Sequence, residues 1–307
     1  MKTSAPAISE VIVNERSIFA IASDLFKSRL TLLVLLTTLA GFYAASSGPM
    51  DFMLLGHTLF GTALIACGAA ALNQWWERDL DAKMARTASR PLPAGEMTPN
   101  TVLVTGGVMC IAGLIHLALF VNPLSSLLGA ITMVSYVFIY TPLKTRTTLN
   151  TLVGAIPGGL PPLIGWAAAR DQMSREGWAL FAIMFFWQLP HFLAIAWLYR
   201  EEYEKAGFVM LPSRDPSGER TGRQAVSHTL GLIAVSICPA ILCAPGTLPV
   251  AGTVYFFGAL LMGMVFLLCA IRFSRDLTRA RAKQLFFASI LYLPLLFGLM
   301  ALDKIKQ

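Results

Sequence analysis

The sequence predicts an all-α protein that crosses a membrane nine times. Three observations carry that reading. Hydrophobic residues make up 56% of the 307 positions and charged residues only 13%, a balance too apolar for an ordinary soluble chain. Apolar windows of about 20 residues, the length a helix needs to span a bilayer, recur from end to end. These windows are apolar all round, whereas a helix on a soluble core keeps a polar stripe for water. They fall near 28–47, 51–74, 101–121, 124–141, 149–169, 177–198, 225–244, 249–271 and 285–302.

The basic residues orient the spans. With the N-terminus in the cytoplasm, 20 of the 24 lysines and arginines lie in inner segments, leaving Arg170, Arg175, Lys304 and Lys306 outside. The positive-inside rule therefore predicts N-terminus in and C-terminus out. Topology accounts for the net charge of +7, and no nucleic-acid partner is required. The inner loop from Arg272 to Lys283 suits contact with anionic headgroups of the lipid bilayer. Cys67, Cys110, Cys238, Cys243 and Cys269 all sit inside spans without metal-ligand spacing and read as small apolar residues. Among the first 20 residues Lys2 and Arg16 are the only bases, beside Glu10 and Glu15. That makes a poor transit peptide and shows no cleavable signal, so the expected home is a bacterial inner membrane.

Residues 1–26 are expected to be a polar tail leading into a short surface segment, and 27–303 a single transmembrane domain. Span one starts after Lys27 and Arg29 and is closed by Gly48-Pro49. Span two delivers Asn73 to the inner surface, where a long loop ends in Pro91, Pro93 and Gly95, and Thr98-Pro99 caps span three. Asn122-Pro123 turns tightly into span four, which closes with Tyr136, Tyr140, Thr141, Pro142, Lys144 and Arg146. Span five holds Gly154, Pro157, Gly158, Gly159, Pro161, Pro162 and Gly165, which predicts a kinked helix flanking a cavity. Span six carries His191 beside Pro190 and runs into Arg200, Glu201, Glu202, Tyr203, Glu204 and Lys205. Polar clusters thus close spans two and six, the mark of a weak internal repeat. Spans seven to nine read as scaffold.

The chemistry is concentrated in the stretch from Asn73 to Pro91. On a helix Asn73, Glu77 and Asp81 stand at i, i+4 and i+8, drifting only about 40° per step, so they share one face over roughly 12 Å. Asp79 leaves that face. One amide oxygen and two carboxylates are hard ligands that suit Mg²⁺ shared with phosphate oxygens. A charge cluster after an apolar run is also the ordinary solvated end of a membrane helix. Two details favour function: Asn73 lies inside the apolar segment, where polar groups are costly, and Lys83, Arg86 and Arg90 follow the acids at once. Lys144 and Arg146 are either interfacial anchors or a phosphate grip beside the first cluster. His57, His116 and His228 read as hydrogen-bonded structural residues. His191, mid-span, is a candidate ligand for a metal or haem iron, or a proton acceptor.

These strings together resemble the UbiA superfamily of intramembrane prenyltransferases. The resemblance rests on Asn73-x3-Glu77-x3-Asp81 with Met84-x-Arg86-Thr87-x2-Arg90-Pro91, on Tyr140-Thr-Pro142-Leu-Lys144 with Asn150-Thr, and on Pro190-His191-Phe192 with Tyr199-Arg-Glu-Glu-Tyr203 and Ala-Gly207-x2-Met210-Leu-Pro212. It covers about residues 25–300, and the strings around Met84 and Met210 point to the haem branch. Two departures stand out. Glu77 replaces the usual aspartate, and Tyr199 and Tyr203 occupy the places of the second motif's aspartates, with Glu201 and Glu202 nearby.

The resemblance implies nine helices around a central cavity. It implies farnesyl diphosphate and haem B as substrates, haem O as product, and handover to a haem A synthase or terminal oxidase. By the same resemblance Mg²⁺ falls to Asn73, Glu77 and Asp81, and the diphosphate to Arg86, Arg90, Lys144, Arg146 and Arg200. Lys144 and Tyr203 join the catalytic group, and His191 positions the haem. Aromatic faces such as Trp76, Tyr140 or Phe186 would each stabilise an allylic cation by roughly 0.5–2 kcal/mol. A quinone-precursor prenyltransferase, a secondary transporter and a non-catalytic haem carrier remain as alternatives.

Overall fold

The computed structural model describes residues 16–243 and 248–305. Lys2, Glu10, Glu15 and Lys306, used above, lie outside them, as does the last residue of the expected seventh span. Among the described residues nine helical segments are long and apolar enough to cross a membrane, and there is no β-strand beyond an isolated bridge between Ala251 and Lys304.

Helix α1 (Ile18–Leu25) is a short surface helix capped by Ser17, and α2 (Ser28–Ala45) is the first span. Helix α3 (Phe52–Asp81) is capped by Asp51 and runs 30 residues. Its apolar part ends near Leu72, yet hydrogen bonding continues two further turns and carries the acidic stretch on rigid helix. Helix α4 (Pro99–Phe120) starts at its Thr98 cap with proline at the first position, and α5 (Pro123–Val134) starts likewise from Asn122. Proline there loses nothing, because the first helical N–H groups have no partner inside the helix. Span four continues as a π-helical turn, Ser135–Tyr140, and the short α6 (Thr141–Leu143).

Span five is broken in two, α7 (Asn150–Gly159) and α8 (Pro161–Arg170), meeting at Leu160. The kink follows from Pro157 and the Pro161-Pro162 pair. Gln188 of the next helix donates to the Ala155 carbonyl at 2.8 Å, supplying a partner beside the break. This span is the most enclosed, 72% buried against 28–56% for the others. Helix α9 (Arg175–Leu198) leads through Tyr199 into α10 (Arg200–Ala206), which Gly207 ends with φ 93°, an angle that favours glycine. After a 3-10 turn, α11 (Glu219–Ser236), α12 (Cys238–Ile241), α13 (Thr253–Arg275) and α14 (Arg279–Leu302) complete the bundle.

Helices pack through small residues, as expected where lipid tails remove the hydrophobic drive between spans. Gly61 and Gly68 of α3 face Gly113 and Gly106 of α4, while Gly41 of α2 and Gly165 of α8 bring those two backbones together. At the far end of the bundle, Arg170 Nε donates to the Ala45 carbonyl at 2.5 Å and Lys304 Nζ to the Ser46 carbonyl at 2.7 Å. Two cations thus cap the C-terminus of α2, where the helix dipole is negative. His57 and His116 bond each other at 3.2 Å, the structural role read from the sequence, and the five cysteines are free thiols.

Candidate active site

Asn73, Glu77 and Asp81 share one face of α3 and are 0%, 4% and 2% exposed. Asp79 points away and lies 3.7 Å from Arg78 with its side chain 84% exposed. Each of the three enclosed groups meets a base from a different segment. Lys27 Nζ donates to Asn73 Oδ1 at 2.7 Å. Lys144 Nζ stands 2.7 Å from Glu77 Oε1, an ion pair without hydrogen-bond alignment, since that oxygen accepts no well-directed bond. Arg90 Nη1 donates to Asp81 Oδ2 at 2.6 Å.

Local backbone features bring these bases in. Lys27 has φ 47°, a left-handed conformation uncommon for a side-chain-bearing residue. It folds α1 back across the end of the bundle. The fold is held by Gln74 Nε2, which donates to the Asp24 and Leu25 carbonyls at 2.7 and 2.9 Å. Arg16 then ties the segment to the loop after α3 through Ser89 O at 2.9 Å and Glu96 at 3.1 Å.

The π turn has an equally local cause. Pro142 has no N–H for the carbonyl four residues earlier, and the ladder widens by one residue. Thr141 instead bonds the Tyr136 carbonyl through both its N–H and, at 2.9 Å, its hydroxyl. With its proton so committed, Thr141 Oγ1 accepts from Asn73 Nδ2 at 2.9 Å, which leaves Asn73 Oδ1 turned to Lys27. The same turn sets the Tyr140 ring 4.7 Å from the Lys144 amine and the Tyr136 hydroxyl 3.3 Å from Lys27.

The second long loop closes the site's edge. Arg86 Nη2 donates to the Tyr203 hydroxyl at 2.8 Å, and its guanidinium lies 4.9 Å from the Tyr199 ring. Met84 packs with Ala206, Phe208 and Met210. Val209 N–H donates to the Lys144 carbonyl at 2.7 Å, and Asn150 Nδ2 to the Val209 carbonyl at 2.7 Å. The strings around Met84 and Met210, far apart in sequence, are therefore one interface, with the exposed Arg86 held at its edge by Tyr203 and Tyr199.

Other expected residues lie elsewhere. Arg146 is exposed and forms no ion pair with the cluster. Arg200 stacks 4.5 Å over Trp197 and, with Glu201, Glu202 and Arg279, lines a cavity of about 270 Å³ at the root of α10. Trp76 is 42% exposed against Phe138, and Phe186 faces His228 and Gly231, so of the three aromatic candidates only Tyr140 adjoins the cluster. His191 lies on α9 against α14, with Nδ1 2.7 Å from Ser289 Oγ. Sequence reasoning missed Lys27 and Thr141 as parts of the site. The one available signal for Lys27 was a base placed directly before a span that starts at the same membrane level as Asn73.

Two lysines outside the spans carry shifted acidities. Burial, with Arg90 and Lys144 close by, lowers the Lys27 amine to about 7. Burial also works to lower Lys144, but Glu77 and the tyrosines outweigh it and hold that amine above its ordinary value.

The donor set fits a hard divalent cation that shares its shell with a substrate. One amide oxygen and two carboxylates are buried on one helix face, and among the described residues no group of three or more His, Cys, Asp or Glu forms a self-sufficient cage. Phosphate oxygens would have to complete the shell, the usual arrangement for Mg²⁺.

The model of the UbiA prenyltransferase family matches residues 34–291. The chain belongs to the UbiA prenyltransferase family. Among its relatives, a protein from Solibacter usitatus named protoheme IX farnesyltransferase is 47% identical over 290 residues, covering 92% of this chain and 97% of that one. One of the same name from Myxococcus xanthus is 43% identical, covering 95% and 98%. Solved structures agree on the fold. A digeranylgeranylglyceryl phosphate synthase superposes with TM-score 0.78 at 15% identity, over 93% of this chain and 98% of that one. A UbiA homologue from Archaeoglobus fulgidus bound to GPP and Mg²⁺ gives 0.63 at 13%, over 92% and 99%.

Proposed function

We propose that the chain transfers the farnesyl group of farnesyl diphosphate to a vinyl group of haem B, with addition of water, giving haem O and diphosphate. The observation that carries this reading is the buried trio Asn73, Glu77 and Asp81, each against its own cation. A polyanionic head needs such a charged mouth, and its isoprenoid tail needs the apolar bundle behind it. Relatives named protoheme IX farnesyltransferase supply the acceptor. The bundle sits in a bacterial inner membrane with residues 27–303 as one domain and the loop-bearing end in the cytoplasm, as the basic residues direct.

Asn73, Glu77 and Asp81 would hold Mg²⁺ together with the diphosphate, and the ion would supply charge that makes the diphosphate a better leaving group. The chain's own residues do the rest. While no diphosphate is present, Lys144 and Arg90 pair with the two carboxylates and Lys27 bonds the Asn73 amide oxygen. When the phosphates arrive, their positive ends turn from the trio to the phosphate oxygens, so negative charge developing on the leaving group meets cations already in place. Arg86, which donates to the Tyr203 hydroxyl, adds a further cation for the diphosphate from the loop after α3. The Tyr140 face, drawn against Lys144, is positioned for the allylic cation. His191 holds the haem, and haem O passes on to a haem A synthase or terminal oxidase.

Purified protein given haem B, farnesyl diphosphate and Mg²⁺ should yield a product heavier by one farnesyl plus water, and excess EDTA should stop it. Unchanged haem, or undiminished turnover in EDTA, would contradict the reading. Lys27→Met should raise KM for farnesyl diphosphate by on the order of 10- to 100-fold, the worth of one hydrogen bond to a charged group. A wild-type KM would remove Lys27 from the diphosphate site.

A further inference from the structure

At the α9–α14 seam, His191 is held on three sides. Trp187, one turn before it on the same face of α9, stacks on the imidazole at 5.2 Å and 20°, and Phe286 of α14 stacks at 5.0 Å and 27°. Trp187 is fixed in turn by its Nε1–H, which donates to the Ser289 carbonyl at 2.7 Å. The third contact is His191 Nδ1 with Ser289 Oγ at 2.7 Å.

The hydroxyl also decides the tautomer. Ser289 Oγ donates its one proton to the Phe286 carbonyl at 2.5 Å. It therefore has only lone pairs to offer the imidazole, and Nδ1 must carry the hydrogen. Neutral His191 then presents a bare lone pair at Nε2, and Ser289 is the ring's one hydrogen-bond partner among the described residues. A locked Nδ1–H with Nε2 left free is the arrangement by which proteins orient an imidazole for a metal.

We propose that Ser289 is the positioning residue that fixes His191 with Nε2 turned to the iron of the haem acceptor, Trp187 and Phe286 keeping the ring from rotating. The inference rests on haem being the acceptor and extends it to how the iron is met. Neither Ser289 nor the stacking pair carries a reacting atom. Their role is to hold the haem, and through it the vinyl group, at a set orientation.

The test is binding, with no farnesyl diphosphate present, so it is independent of turnover. Wild-type protein in detergent is titrated with ferric haem B, followed by the Soret band and the electron spin resonance of the iron, and in parallel with metal-free protoporphyrin IX. Ser289→Ala should weaken haem binding by on the order of 10- to 100-fold, as loss of such an outer partner does. It should alter the iron signature and leave the metal-free porphyrin affinity unchanged, and Ser289→Thr, which keeps the hydroxyl, should restore the signature. His191→Ala should remove the imidazole signature, with added imidazole restoring it. An unaltered haem titration in Ser289→Ala, or equal losses for both porphyrins, overturns the positioning role. An unaltered titration in His191→Ala removes the histidine from the iron. Normal iron ligation in a protein that makes no haem O would instead sink the farnesyl-transfer reading and leave this one standing.

Discussion

Asp81→Asn should lower farnesyl transfer by on the order of 10² to 10³, the range seen when one group stabilising transition-state charge is removed, about 2.7–4 kcal/mol. The substitution keeps the shape of the side chain and a partner for Arg90, which stands 2.6 Å away. It removes one of the only two carboxylates on the buried face. Asp81→Ala goes further, because it also strands the partly buried guanidinium of Arg90. Asp79→Asn, two residues away, is the matched control: its side chain is 84% exposed and among the described residues pairs only with Arg78, so its activity should match wild type. The comparison is read as kcat/KM at saturating Mg²⁺ on protein shown to be inserted and monodisperse. Equal activities for the two asparagine variants would dissolve the proposed site.

How far the sequence led here depended on whether a feature was periodic. Nine apolar windows have a fixed length set by the bilayer, and an i, i+4, i+8 spacing has a fixed face set by the helix, so both were legible without coordinates. The kink in span five was legible because three prolines and four glycines crowd one apolar run, whereas the single prolines Pro190 and Pro294 leave their helices continuous. Lys27 was not, since nothing in a lone lysine announces a left-handed backbone. The π turn at Ser135–Tyr140 was equally hidden. Pro142 foretold a lost hydrogen bond, but not that Thr141 would recover it by widening the ladder and so present its hydroxyl to Asn73. Arg146 and Arg200 show the opposite error. Charge and proximity in sequence recommended both, and tertiary placement left one exposed and the other over Trp197. Ser289 sits in a span that read as scaffold, and only its partner across the seam gives it a role.

The second large effect concerns the fold that carries Lys27. Gly41→Ala in α2 would place a methyl group 1.9 Å from the Pro162 carbonyl oxygen, and Gly165→Ala in α8 one 2.0 Å from the Thr38 carbonyl oxygen. Both neighbours are backbone atoms, so no side chain can rotate away and the helices must part. Either substitution should cost at or beyond the upper end of ordinary overpacking, about 3 kcal/mol. Gly56→Ala and Gly107→Ala meet nothing within 4 Å, and there the helix preference of alanine should stabilise by up to about 1 kcal/mol. The chemical change is identical and the sign opposite, so melting in detergent separates packing from composition. Because α2 starts directly after Lys27, any folded Gly41→Ala protein should also show a raised KM for farnesyl diphosphate. A Gly41→Ala variant that melts with wild type, or that binds the diphosphate normally once its α2 has shifted, would break the link from this seam to the cation on Asn73.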